Sequence, residues 1–245
     1  MASVFGSKLD LLIRLFDTTT GATVGEKTIR FARNGIPVKP EPRDPGTYLF
    51  INTGREDFLM RIEVSGYEIY EAEVRYEELD DRIPECDVFL MPSENTSKGE
   101  KVLSFSGTLP FLKKIEAICL TKPICGTNEF SSKTNVLSVF TNAGGRSGLE
   151  TGSYGILHTD NNSYEKIEVE QNVSLQSVRL KTPIQEELAS NQPIMRVIYG
   201  YAYKDGRYLL RVRDDGQAQK YLVRYEVGDE VRFQELDFFD QEALK

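Results

Sequence analysis

Apolar residues recur at every second position through most of this chain, the period of strands with one buried face. Residues 8–16 and 27–31 read as the first two strands, on either side of the turn cluster Asp17-Thr18-Thr19-Thr20-Gly21. Pro37, Pro40, Pro42 and Pro45 then crowd the segment 36–46. Proline cannot donate to a ladder, so this is an edge segment or loop closed by the Pro45-Gly46 turn. Strands are predicted at 47–52, 57–64, 67–76 and 86–91, with a polar stretch at 77–81. Further strands fall at 102–105, 115–120, 136–140, 166–169 and 173–180. A long glycine-rich loop occupies 142–155, and the only helix expected is a short one within 182–191, opened by Pro183. Residues 195–233 carry turn signals at Asp205-Gly206, Asp215-Gly216 and Gly228-Asp229, which predict a four-stranded antiparallel meander.

Together these elements predict an all-β protein of two antiparallel β-sandwich-like domains with at most one short helix. The boundaries are 1–93 for the first domain, 94–101 for a linker rich in Ser, Asn and Gly, and 102–245 for the second. A length of 245 residues suits either one large β domain or two ordinary ones.

Order and motif in the first domain add to this. Pro45-Gly46-Thr47-Tyr48-Leu49-Phe50, Ile62-Glu63-Val64-Ser65-Gly66-Tyr67-Glu68 and Val88-Phe89-Leu90-Met91-Pro92 follow one another at strand spacing. Over roughly residues 8–93 the chain resembles the carboxypeptidase regulatory-like (prealbumin-like) β-sandwich. Where that family opens with Gly-x-Val-x-Asp, this chain has Ile13-Arg14-Leu15-Phe16-Asp17. The resemblance implies a small sandwich without catalytic residues of its own, used as a spacer, docking surface or stabiliser.

Composition narrows the function classes. The net charge of −8 disfavours nucleic acid, because an acidic surface repels phosphate. Acids exceed bases over residues 41–100 and bases exceed acids over 196–232. That bias reads as a solvated acidic face, or as two halves able to attract one another. No apolar run approaches the length of a membrane helix, so no membrane insertion is expected. The apolar run at 9–13 is broken by Asp10 and stopped by Arg14, without a leader pattern, so a cytoplasmic location is expected. The sequons Asn95-Thr96-Ser97 and Asn172-Val173-Ser174 would then carry no glycan. Cys86, Cys119 and Cys125 are odd in number and lack Cys-x-x-Cys spacing, so they are expected to be reduced and mostly buried, with no metal. No cofactor is expected.

Each motif has a structural reading beside a functional one. Tyr199, Tyr201 and Tyr203 alternate along one strand. A two-residue turn at 205–206 would set Tyr201 opposite Leu210 and Tyr199 opposite Val212. The next turns would set Leu210 opposite Tyr221 and Tyr225 opposite Phe233, which makes the tyrosine face the core rather than a ligand platform. Arg211, Arg213 and Arg224 then fall on the other face, as an anion patch or as a face paired with Asp214, Asp215 and Glu226. Asn142-Ala143-Gly144-Gly145-Arg146-Ser147-Gly148 lacks the Gly-Lys-Ser/Thr ending of a phosphate loop and reads as a surface loop. His158 is the only histidine, the chain has neither Gly-x-Ser-x-Gly nor another nucleophile signature, and the residue reads as a surface histidine beside the turn at 160–162. Asp214-Asp215-Gly216 does not have calcium-loop spacing.

The expected function is a non-catalytic structural or protein-interaction module within a larger assembly. Its partner is another protein or a second copy of the chain, and its candidate contacts are Gly144, Gly145, Arg146, Arg211 and Arg213. A carbohydrate-binding module is the alternative, followed by a glycoside hydrolase using two carboxylates.

Overall fold

A computed structural model describes residues 8–25, 28–94, 101–128, 135–140, 148–184, 188–214 and 219–237. The fold is all-β, and its strands fall into two compact units, Met1–Val102 and Leu103–Lys245. Among the described residues no helix is long and apolar enough to cross a membrane.

Unit 1 contains β1 (Leu9–Asp17), β2 (Ile29–Arg33), β3 (Ile36–Val38), β4 (Glu41–Pro42), β5 (Thr47–Ile51), β6 (Phe58–Val64), β7 (Tyr70–Val74) and β8 (Glu85–Leu90). They form two four-stranded sheets, ordered β4-β5-β1-β8 and β3-β2-β6-β7. The alternate residues Leu11, Ile13 and Leu15 of β1 and Phe58, Met60 and Ile62 of β6 are fully inside, so the core lies between the sheets. Phe31 meets Phe50 and Tyr48 across that gap. The proline-rich segment supplies β3 and β4, each at a sheet edge, where a missing N–H disturbs no ladder. The polar stretch after β7 includes one 3-10 turn, Tyr76–Glu78. Two buried carboxylates brace loops. Asp10 accepts from the Thr53 and Gly54 amides, and Asp17 accepts from Thr19, Thr20 and the Tyr67 hydroxyl.

Unit 2 follows with β9 (Lys101–Thr108), β10 (Leu112–Cys119), β11 (Cys125–Thr127), β12 (Val136–Phe140), β13 (Gly152–His158), β14 (Ser163–Ser174) and β15 (Ser177–Leu180). It ends with β16 (Pro193–Tyr199), β17 (Tyr201–Ala202), β18 (Arg207–Asp214), β19 (Lys220–Val227) and β20 (Glu230–Asp237). Nine strands make one sheet, β11-β12-β15-β14-β13-β16-β10-β19-β20, and β11 also pairs with β16. That extra pairing closes six strands into a small barrel, filled by Leu137, Tyr154, Ile156, Ile167, Val178 and Ile194. The sheet β17-β18-β9 packs on β10 and β19 around Ile115, Leu210, Val212, Tyr221 and Val223.

Several expectations for the last third need correcting. The strands do not form a meander, because β10 inserts between β16 and β19, and β17 and β18 pair in a different sheet. Gly200 marks the point where the chain leaves the nine-stranded sheet. A Cβ there would meet Ile115 Cγ2 at 2.7 Å and the Leu209 carbonyl oxygen at 2.9 Å, so only glycine lets the chain switch sheets at this point. The first hairpin has a three-residue loop, with Tyr203 N–H donating to Arg207 O and Tyr201 opposite Leu209. The third has a two-residue turn, with Tyr225 opposite Arg232 and Phe233 opposite Arg224. The Asp215-Gly216 turn lies outside the described residues, but β18 and β19 do not pair, so Leu210 and Tyr221 are not cross-strand partners. Tyr221 and Tyr225 are core residues; Tyr199, Tyr201 and Tyr203 are not fully buried and form no single stripe. The described parts of 182–191 are not helical, and residues 185–187 lie outside the description. So do most residues of the expected linker.

Candidate functional site

Of the five residues expected to make contacts, Gly144, Gly145 and Arg146 lie outside the described residues. Arg211 is not a surface cation. It is only 5% exposed, and its Nε donates to Ser104 Oγ at 3.3 Å, which ties β18 to β9. Arg213 lies half-buried on the same strand. Arg224 does not join them. It belongs to an ionic belt across the nine-stranded sheet, centred on Glu116.

The Glu116 side chain is completely buried. Register sets it directly between Arg224 of β19 and Tyr199 of β16. Its carboxylate meets Arg224 at 3.0 Å, Lys114 at 3.0 Å and Lys166 at 3.6 Å. Glu226 and Glu168 balance the cations from outside, and both lysines lie over the Tyr199 ring. Burial opposes the Glu226 carboxylate, but the adjoining Arg224 outweighs it and keeps the pKa below the ordinary value. Removing one member of such a buried group leaves the others uncompensated, so the belt fixes strand register more than it offers a reactive group.

The remaining candidates for chemistry are also engaged. His158 is largely buried rather than a surface residue. Its Nδ1 faces Gln192 Nε2 at 3.1 Å, and its Nε2 lies 4.0 Å from Glu165, so the ring nitrogens point at an amide and a carboxylate. All three cysteines are free thiols. Burial pushes Cys86 up to about 11 and Cys125 up to about 12, which keeps both protonated and weakly nucleophilic at neutral pH. Among the described residues no cluster of His, Cys, Asp or Glu could hold a metal ion.

What the described surface does offer is one end of unit 2. Strand directions bring its parts together. β10 is antiparallel to β16, β16 to β13, and β13 to β14. The starts of β10 and β13 and the end of β14 therefore share an end of the sheet. The β19–β20 turn joins them, because β19 runs antiparallel to β10. Leu109 N–H donates to Gly206 O and Gly228 N–H donates to Phe111 O, so three turns are locked to one another by backbone bonds.

Phe111 projects from these turns. Leu112 N–H donates to Leu109 O, which sets Pro110 and Phe111 at the two central positions of a turn. Phe111 has φ +62° in the second of them, the place where glycine or asparagine is normally found. Its ring is nonetheless 83% exposed. At the same end, the β14–β15 hairpin tip carries Val173 and Leu175, 49% and 64% exposed. The tip and residues 148–150 line a groove of about 560 Å³, with buried Leu149 in its wall. Tyr154 holds that wall, its hydroxyl bonded to the Glu150 backbone and to Arg196.

Sequence reasoning missed Phe111, Val173 and Leu175 as surface residues. A signal existed for the first. Leu109-Pro110-Phe111-Leu112 is an apolar run at a turn, where polar residues are the rule. No family model and no curated protein matches the chain.

Proposed function

We propose that this chain is a non-catalytic protein-interaction module that docks through the turn-rich end of unit 2. The observation that carries the reading is Phe111. A bulky residue in a left-handed turn position costs roughly 1–2 kcal/mol, and an exposed aromatic ring returns no burial to the fold. Locked turns make the ring a rigid anchor of the kind that dominates protein interfaces. Val173 and Leu175 add two more exposed apolar side chains at the same end of the sheet. The reading agrees with the resemblance of unit 1 to a non-catalytic sandwich, and with the engaged state of His158, Glu116 and the thiols.

The test is a paired affinity purification from the native source. The bait is the wild-type chain or a variant with Phe111, Val173 and Leu175 all changed to Ser. The variant should fold normally by circular dichroism and lose the proteins that the wild type retains. Equal retention by both baits contradicts the reading.

A further inference from the structure

We infer that the barrel of unit 2 holds a small organic cation with N–H donors, a primary ammonium or a guanidinium, at the mouth between the β13–β14 turn and the start of β16. This end of the sheet is opposite the turns that carry Phe111, so the inference goes beyond the docking reading and does not rest on it. Three barrel strands bring the mouth together. β16 pairs with β13 through Ile194 and Ile156, and with β11 through Pro193 and Gly126. The ends of β13 and β11 and the residues that lead into β16 therefore meet there. Residues 158–161 and 189–193 line a cavity of about 520 Å³ between them. That is the size of a small-ligand site, and barrel mouths are a recurrent place for one.

One wall is held rigidly. Thr127, the last residue of β11, is completely buried and pins the segment before β16. Its N–H donates to Gln192 O at 3.0 Å, and its carbonyl accepts from the Asn191 N–H at 2.7 Å. Its hydroxyl donates to Ala189 O at 2.7 Å and accepts from the Gln192 N–H at 3.0 Å. His158 fixes the side chain that follows. An amide nitrogen can only donate, so Gln192 Nε2 donates to His158 Nδ1, at 3.1 Å. That bond orients the amide and leaves Gln192 Oε1 buried and without a hydrogen-bond partner among the described residues. A buried acceptor is costly to leave unmet, so a ligand that brings a donor gains by meeting it.

Charge selects the kind of donor. Asp160 lines the cavity, and its carboxylate makes no hydrogen bond or ion pair among the described residues. Glu165 adds a second carboxylate, 4.0 Å from His158 Nε2. Among the described residues no lysine or arginine lines the cavity, so an anion finds no counter-charge there. No cluster of His, Cys, Asp or Glu among them could hold a metal ion. No tyrosine or phenylalanine among them lines the cavity either, so a sugar finds no phenyl ring to stack on. A cation that donates hydrogen bonds meets both the Asp160 charge and the Gln192 acceptor.

The test is isothermal titration calorimetry of the full chain with putrescine, methylguanidinium, tetramethylammonium and glucose. Putrescine or methylguanidinium should bind saturably at a single site. Tetramethylammonium, a cation without N–H, and glucose, a donor without charge, should not. Asp160→Asn and Gln192→Leu should each weaken the binding by about tenfold or more. Circular dichroism checks that the variants are folded, and the exposed position of Asp160 keeps its variant informative should Gln192→Leu unfold. Failure of both N–H cations to bind would leave the Gln192 acceptor to water and overturn the inference. So would equal binding of tetramethylammonium or glucose, or an Asp160→Asn variant that binds like the wild type. None of these results bears on the docking end, which its own purification test decides.

Discussion

At the scale of single residues, two side chains run against local economy, and they do so differently. Glu116 is a fully buried charge, but three cations within 4.0 Å answer it, so its cost is met inside the fold. Phe111 has no such answer. Its φ of +62° is one that glycine adopts without strain, and its ring finds no burial in the chain. Phe111→Gly should therefore stabilise the protein, by about 1 kcal/mol after allowing for the greater freedom of glycine in the unfolded chain. Urea denaturation measures this directly. A lower midpoint in the variant would mean that the ring supports the fold, and the case for a docking anchor would fall.

At the scale of elements, the strands themselves were legible, because alternation of apolar and polar residues is enforced by a half-buried sheet. β1, β5, β6 and β8 all follow the expected pattern, and so does the proline segment at the sheet edges. Partners were less legible. Asp205-Gly206 and Gly228-Asp229 marked real turns, but a loop one residue longer or shorter moved each register by one, and the pattern alone does not fix that length. The insertion of β10 between β16 and β19 joins residues far apart in sequence, and no local signal encodes it. Its one trace is Gly200. Gly200→Ala should cost on the order of 2 kcal/mol, since the added methyl meets a backbone carbonyl as well as the Ile115 side chain. An unchanged melting temperature would show that the sheet switch has room to spare. The candidate site was less legible still. Arg211 looked like a surface cation because strand parity was counted in a meander that does not exist, and it proves to be buried against Ser104.

At the scale of the whole molecule, buried thiols and phenols set the response to pH. Cys86 is raised to about 11 and Cys125 to about 12, both chiefly by burial, well above the ordinary thiol range. Tyr70 and Tyr199 are raised to about 12, again chiefly by burial. A raised folded pKa means that the unfolded chain releases its protons first. Stability is then complete below pH 9 and declines as pH rises toward 11–12. Cys86 alone should account for about 2 kcal/mol of the loss by pH 11. Chemical denaturation between pH 8 and about 11 reads this, and a flat profile would mean that these groups are less enclosed than the fold implies.

The larger claim is that association runs through one end of unit 2. The sheet's opposite end, where β13 turns into β14 at Thr159 and Asp160, serves as an internal control. The most direct measurement is photo-crosslinking in the native setting, with a photoreactive side chain at position 111 in one sample and at position 159 in another. Position 111 should give a discrete crosslinked species, with a second copy of the chain or another protein, and position 159 should not. No product from position 111, or equal products from both positions, would contradict the account.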